Sequence, residues 1–300
     1  MPVVVITGCS SGIGLEAALA FARTGATVYA TMRDISKASA LREAAASEAL
    51  NVRVVALDVT KSATFAAIIN SVIQEAGRLD VLVNNAGILR AGAYEDIDES
   101  TLREVMETNF MGPLLLAQAV LPQMRRQLGG YLIMISSLSG IAGLPGDVVY
   151  TASKFALEGA TEALRHEVDR WGIKLALVEP GLYATRIFDA SQAEETALPI
   201  GYPQNSPYRA LVEHRQRELR KRLPDAPSPQ SIGELLVNIS KSDGRQLRWP
   251  ADDLGKKLLA TLFALGDCAR DDFLRGISGT DWWSEGQAPD EISATDARRS

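Results

Sequence analysis

The sequence predicts a doubly wound α/β fold: one Rossmann-type parallel sheet with helices on both faces. Three observations predict it. Short β-branched apolar runs recur along the chain, amphipathic helical stretches lie between them, and the first run leads straight into a glycine-rich turn. The runs are apolar throughout rather than alternating, as strands buried on both faces must be.

The elements follow in order. Val3–Thr7 is a first strand. Leu15, Ala18, Leu19 and Ala22 mark one face of the helix after it, and Gly25 suits its end. Thr27–Thr31, Val52–Leu57, Val81–Asn84, Tyr131–Ser136 and Lys174–Val178 repeat the strand signal. Between them fall helices near Ser62–Ala76, Thr101–Gln127 and Thr151–Arg170. At Arg186 the rhythm breaks, because six prolines (Pro199, Pro203, Pro207, Pro224, Pro227 and Pro229) crowd the stretch that follows. Residues 186–231 are therefore expected to form an inserted lid around a helix at Tyr208–Leu223. Further helices are expected at Ile232–Ser240 and Leu254–Ala269, with a last short strand at Gln246–Trp249. The polar residues 285–300 are expected to be a disordered tail. Residues 1–300 are read as one domain.

Composition excludes several classes. The 300 residues carry 31 basic and 37 acidic side chains, a net charge of −6, which argues against a nucleic-acid partner. Two cysteines, Cys9 and Cys268, make no disulfide framework and suggest a reducing compartment, here the cytoplasm. The two histidines, His166 and His214, are too few for most zinc sites, and no metal is expected. No apolar run reaches the ~18 residues of a membrane span. His166 is expected at the surface or an interface, and His214 in solvent.

Chemistry first shows in Gly8-Cys9-Ser10-Ser11-Gly12-Ile13-Gly14, which joins the first strand to the first helix. Glycines at such a corner permit a tight turn and close approach of a pyrophosphate to the helix N-terminus. Where the second strand ends, an acidic residue would hold a ribose 2′-hydroxyl and an arginine a 2′-phosphate. Thr31 stands at the expected acidic position and Arg33 follows it, which favours NADP(H); the adjacent Asp34 keeps NAD(H) open.

Tyr150 and Lys154 lie four residues apart on one face of a strongly periodic helix. A cation near a phenol lowers a pKa that starts near ~10, as general-base work requires. Ser137 ends the fifth strand at the carboxyl edge, Asn84-Asn85-Ala86-Gly87 ends the fourth, Asn109 sits inside the following helix, and Pro180-Gly181 ends the sixth.

With these motifs the chain resembles the short-chain dehydrogenase/reductase family, over roughly Val3 to Thr185. The resemblance implies that Tyr150 exchanges a proton with a substrate oxygen while hydride passes between substrate carbon and nicotinamide. It implies that Ser137 hydrogen-bonds that oxygen, that Lys154 holds the nicotinamide ribose, and that Asn109 supports a water near Lys154. By the same resemblance the Gly8–Gly14 loop, Arg33, Asp58, Val59, Asn85, Ala86, Gly87, Pro180, Gly181 and Thr185 contact the cofactor. Asp58 and Val59 would meet the adenine, Asn85 the adenosine-side ribose or the loop itself, and Thr185 the nicotinamide amide. Within the family, Val28–Asp34, the Cys9-Ser10-Ser11 filling of the glycine loop and Leu247–Pro250 look most like the 17β-hydroxysteroid and retinol dehydrogenase branch.

The expected substrate wall comprises Leu138–Val149, Leu89–Tyr94 and the lid. Leu138, Ile141, Leu144, Val148, Val149, Ile187 and Phe188 carry no cation among them, which suggests a lipophilic or aromatic alcohol and its ketone. The stretch Arg209–Leu223, with six basic and two acidic residues, suits a lid helix better than a membrane-surface helix. Trp282-Trp283 could anchor the terminus, line the pocket or join a subunit contact. Homodimer or homotetramer formation through Thr101–Gln127 and Thr151–Arg170 is a further expectation. A non-catalytic dinucleotide-binding regulator is the alternative function; a dehydratase or enoyl reductase would need a different Tyr–Lys spacing.

Overall fold

The computed structural model describes residues 1–187, 198, 199 and 201–287. Seven strands form one all-parallel sheet: β1 (Val3–Ile6), β2 (Thr27–Met32), β3 (Val52–Ala56), β4 (Val81–Asn84), β5 (Gly130–Ile135), β6 (Ile173–Glu179) and β7 (Arg248–Pro250). Their spatial order is β3-β2-β1-β4-β5-β6-β7. The order reverses between β1 and β4, so the loops leaving their carboxyl ends splay apart and leave a crevice.

Side-chain alternation along the strands divides the interior into two layers. Val4 and Ile6 face one core, with α1 (Gly12–Arg23), while Val3 and Val5 face the other. The first layer includes α2 (Ser39–Ser47) and, later in the chain, α8 (Gln230–Ser240). Backbone contact joins α1 to α8: a Cβ on Gly233 would lie 2.8 Å from the Glu16 carbonyl oxygen. The second layer holds α3 (Phe65–Ala76), α5 (Gly112–Gln127) and α6 (Val148–Val168).

Several elements depart from the sequence expectation. The expected helix over 101–127 is α4 (Glu99–Met106), a π-turn at Glu107–Met111, and then α5. The expected helix over 254–269 is two helices, α9 (Asp253–Ala264) and α10 (Asp267–Ser278). Leu265 and Gly266 are extended between them, and Gly266 is the cap position of α10. Helix α2 lacks a counterpart in the sequence expectation because only Leu41 and Ala45 of its nine residues are buried, too few to mark a face.

Within the expected lid, α7 (Arg209–Arg222) buries Leu211, Val212 and Gln216. His214, expected in solvent, is half-buried: the Trp282 ring of the short helix α11 (Asp281–Ser284) stands edge-on to it at 5.4 Å. Trp282 itself is buried and donates from Nε1 to the Gly279 carbonyl at 3.0 Å, while Trp283 meets Tyr208. The tryptophan pair thus ties the C-terminal helices to α7. His166 is exposed. Phe188, much of the lid's first third and residues 288–300 of the expected tail lie outside the described residues. No described helix is long and apolar enough to cross a membrane.

Candidate active site

The crevice at the carboxyl ends of β1 and β4 is built from glycine and asparagine. Gly8 and Gly12 have φ of 74° and 56°, the left-handed region that favours glycine. A Cβ on Gly8 would lie 2.9 Å from Ala86 Cα, and one on Gly12 would lie 3.3 Å from the Thr185 side chain. The loop therefore packs against the β4 end on one side and faces Thr185 on the other. Ser11 stands at the N-cap of α1 in extended conformation, yet its side chain makes no cap hydrogen bond. The first-turn amides of α1 are thus left without a side-chain cap, at a helix end suited to a phosphate.

Asn85 is the brace of this loop. Its Nδ2 donates to the carbonyls of Thr7 (2.8 Å) and Gly8 (3.2 Å), and its backbone N–H donates to Thr7 Oγ1 (2.9 Å). Of the two roles the resemblance left open, the geometry supports loop packing. Ala86 N–H donates to the same Thr7 hydroxyl at 3.0 Å. Asn84, one residue earlier, reaches the Pro113 carbonyl at 3.1 Å.

At the far end of the crevice, Arg33 is exposed and makes no hydrogen bond or ion pair among the described residues. Its neighbour Asp34 accepts from Ser36 N–H (3.0 Å) and Ser36 Oγ (2.6 Å), capping a short 3₁₀ turn at Ile35–Ala38. Those hydrogen bonds hold the Asp34 carboxyl below the usual range. Asp58 is likewise engaged by Thr60 N–H (3.0 Å) and Oγ1 (2.8 Å). The Val59 side chain belongs to the core, and its carbonyl packs against Gly112 at the start of α5. Thr31 Oγ1 is buried without a hydrogen-bond partner.

The Tyr–Lys pair lies at the ends of β4 and β5. Tyr150 is 7% exposed on the first turn of α6, and Ile187, Leu89 and Ala91 pack against it. Lys154 is 4% exposed; its Nζ donates to the Ile135 carbonyl at 2.8 Å and lies 5.7 Å from the Tyr150 ring centroid. Ser137 Oγ accepts from Ser139 N–H at 3.1 Å. Pro180 accepts from Leu138 N–H at 3.1 Å, joining the β5 and β6 ends, and Gly181 abuts Leu138.

The sequence expectation of a depressed phenol pKa is not met. Burial pushes Tyr150 up to about 12; the Ser137 hydroxyl opposes the rise and Asp147 adds to it. Burial also brings Lys154 down to about 8, against the pull of Glu158. The Lys154 ammonium is hydrogen-bonded to the Ile135 carbonyl and lies 5.7 Å from the ring centroid, and burial is the largest influence on the phenol.

Asn109 is fully buried in the π-turn. Its Oδ1 accepts from Ile88 N–H at 2.9 Å, and its Nδ2 donates to the Ile88 carbonyl (2.9 Å) and Ser153 Oγ (3.1 Å). Ser153 in turn donates to the Tyr150 carbonyl at 2.7 Å. Gly87 lies between: a Cβ there would be 3.4 Å from Asn109 Oδ1 and 3.8 Å from Lys154 Nζ. π-Turns recur at functional sites, and this one makes a single amide bridge the β4 loop and α6.

The apolar wall is narrower than expected. Ile141 packs, together with Leu138, into a cluster with Leu262, Leu258 and Phe273 of the C-terminal helices. Arg90, in the expected wall segment, is committed to Glu104 at 3.1 Å. Asp147 and Arg215 are among the charged residues that the sequence reading did not bring together. Asp147 is pushed up to about 6 by burial, held back by Arg215, which reaches over from α7. Arg215 Nη1 also donates to the Ser278 carbonyl at 3.1 Å. Nothing in the local sequence pairs positions 147 and 215.

The short chain dehydrogenase family profile matches residues 2–196. Retinol dehydrogenase 8 of Bos taurus is 38% identical over 255 residues, covering 82% of this chain and 80% of the relative. Estradiol 17-beta-dehydrogenase 1 of Rattus norvegicus is 35% identical over 254 residues, 82% of this chain and 72% of the relative. A metagenomic short-chain oxidoreductase solved in complex with NADP superposes with a TM-score of 0.64 at 26% identity, over 83% of this chain and 94% of that one.

Proposed function

The chain belongs to the short-chain dehydrogenase family, and on that premise we propose that it interconverts a lipophilic secondary alcohol and its ketone, with Tyr150 as general acid and base. The observation that carries this reading is the convergence of Tyr150, Ser137, Lys154 and Asn109 at one sheet edge, against Leu89, Ala91 and Ile187.

A nicotinamide dinucleotide, when bound, supplies or accepts the hydride. The cradle suits it: glycines where a Cβ would overlap neighbouring backbone, a helix N-terminus without a side-chain cap, and the orphaned Thr31 hydroxyl. Residues Gly8–Gly14 and Thr185 would hold it, with Asn85 fixing the loop. We take NADP(H) as the preferred form. Arg33 makes no hydrogen bond or ion pair among the described residues, while Asp34 Oδ1 already accepts twice from Ser36, which supports the cation as the reader of a 2′-substituent.

In this reading Ser137 donates to the substrate oxygen, and Tyr150 moves a proton to or from it. A buried phenol with a high pKa holds its proton at neutral pH, which favours the acid role and carbonyl reduction. In the reverse direction a cationic Lys154 stabilises the phenolate. The apolar contacts of Tyr150 exclude water from the proton-transfer path and disfavour polar substrates. The names of the retinol and estradiol relatives support the lipophilic class. Helix α7 and its neighbours act as the lid, and Met111 and Phe155, exposed at 39% and 43%, offer the helical faces for a dimer or tetramer.

A panel of ketones and secondary alcohols, run with each cofactor on wild type and Tyr150→Phe, tests the proposal. The wild type should turn over lipophilic members, and Tyr150→Phe should bind cofactor without turnover. Activity confined to sugars or hydroxy acids, or undiminished in Tyr150→Phe, would overturn it.

A further inference from the structure

Behind the Tyr–Lys pair lies a cluster of charge that the proposed reaction does not use. Glu158 follows Lys154 by one turn on the same face of α6, and both side chains are buried. Glu179, at the last position of β6, is fully buried, and its carboxylate oxygens make no side-chain hydrogen bond among the described residues. One cation serves both. Arg248 Nε of β7 donates to Glu158 Oε2 at 2.9 Å and lies 4.0 Å from Glu179 Oε1, while its Nη2 meets Glu162 Oε2 at 2.6 Å. Phe263 of α9 lies under the guanidinium at 5.6 Å, and exposed His166 lies one turn beyond Glu162. Ser136, just past the end of β5, closes the cluster: a Cβ on Gly140 would meet both Ser136 Oγ and Glu158 Oε1, within 2.5 and 3.2 Å. Glu158 thus stands beside Ser136 and one helical turn from Lys154.

Three carboxyl groups cannot all ionise around two cations, Arg248 and Lys154, without uncompensated buried charge. Glu162 is at the solvent edge and remains ionised, its carboxyl held low by Arg248. The conflict falls on the buried two.

We infer that Glu158 and Glu179 form a buried pair holding a single proton behind Lys154, and that Glu158 is a positioning residue whose negative charge keeps that lysine cationic. The proton resides on Glu179, the more fully buried of the two; burial and the neighbouring Glu158 push it up to about 8. Glu158 then carries the charge, shared between Arg248 and Lys154. The inference deepens the proposed reaction and rests on it for the role of Lys154; the proton-holding pair itself does not depend on catalysis.

Two measurements test it. Infrared titration of the protein alone should show a protonated carboxyl band at pH 7 that is missing from Glu179→Gln, a substitution isosteric with the protonated acid. Absence of that difference overturns the pair. The pH profile of kcat/KM for alcohol oxidation tests the positioning role. Without the Glu158 charge, Lys154 loses its proton at lower pH and the phenolate loses its cation. The rising limb of Glu158→Gln should therefore move about one unit or more to higher pH, and Glu158→Asp should return it most of the way. Coincident profiles for wild type and Glu158→Gln, with Tyr150→Phe inactive, overturn the positioning role and leave the proposed reaction standing. If Glu158→Gln does not fold, Glu158→Asp must still show a smaller shift of the same sign, and a superimposable profile counts against the role. Turnover retained in Tyr150→Phe would instead remove the proposed reaction, with the infrared result still judging the pair.

Discussion

Gly14 packs directly against the carbonyl of Gly8: a Cβ at position 14 would overlap that oxygen and lie 2.6 Å from Asn85 Nδ2. One missing methyl lets the loop, the first turn of α1 and the β4 end share a single point. Gly14→Ala must push the loop off Asn85. It should cost about 1–3 kcal/mol of stability as an overpacking substitution. Dinucleotide affinity should fall more steeply than stability, because the amides that face a pyrophosphate move with the loop. Calorimetric melting and a fluorescence binding titration check the two effects separately.

Arg33 and Asp34 divide the cofactor question between them. Arg33→Ala should raise the KM for NADP(H) about tenfold to a hundredfold, the loss of one charge-assisted hydrogen bond of about 1.5–3 kcal/mol. The KM for NAD(H) should change little. Steady-state kinetics with both cofactors decides it, and an equal effect on the two would mean that Arg33 does not read the 2′-position.

Asn109 satisfies both polar groups of Ile88 and anchors Ser153. Asn109→Ala leaves those groups without partners in a buried site. The expected loss is about 1–3 kcal/mol per orphaned group. Turnover should fall along with the melting temperature, since Ser153 holds the Tyr150 carbonyl. A variant of wild-type stability would show that water replaces the amide.

Stability should fall as pH rises from weakly acidic toward 8. The carboxyls of Asp147 and Glu179 are raised to about 6 and about 8 by burial, above the ordinary carboxylate range. A raised group contributes its full stability below its unfolded pKa and loses it as pH climbs through the folded value. The melting temperature should therefore decline between pH 4.5 and 8 from this source. Glu179→Gln should flatten the upper part of that decline. Differential scanning calorimetry across the range checks the sign, and an identical slope in the variant would refute the assignment.

Much of the site was legible because its signals are short-range. The Gly8–Gly14 spacing, Tyr150 with Lys154, and Arg33 after the second strand each lie within a few residues of one another. Strand ends carried Ser137 and Asn85 to the same edge once the alternation of strands and helices was recognised. The π-turn at Asn109 left no such trace, since one extra residue in a helical turn changes no periodicity that a short window detects. Arg248 was opaque for a different reason. Its partner Glu158 is 90 residues away, and only pairing of β7 with β6 brings them together.

The sequence by itself determined the parallel α/β architecture, the glycine loop and the identity of the Tyr–Lys pair, because apolar periodicity and i,i+4 spacing are local properties of the chain. Tertiary structure decided the electrostatics. That Tyr150 is raised rather than lowered, that Asp147 faces Arg215, and that Glu158 and Glu179 share one cation all follow from which groups are buried together. Desolvation depends on every atom surrounding a charge, and those atoms come from elements far apart in the chain.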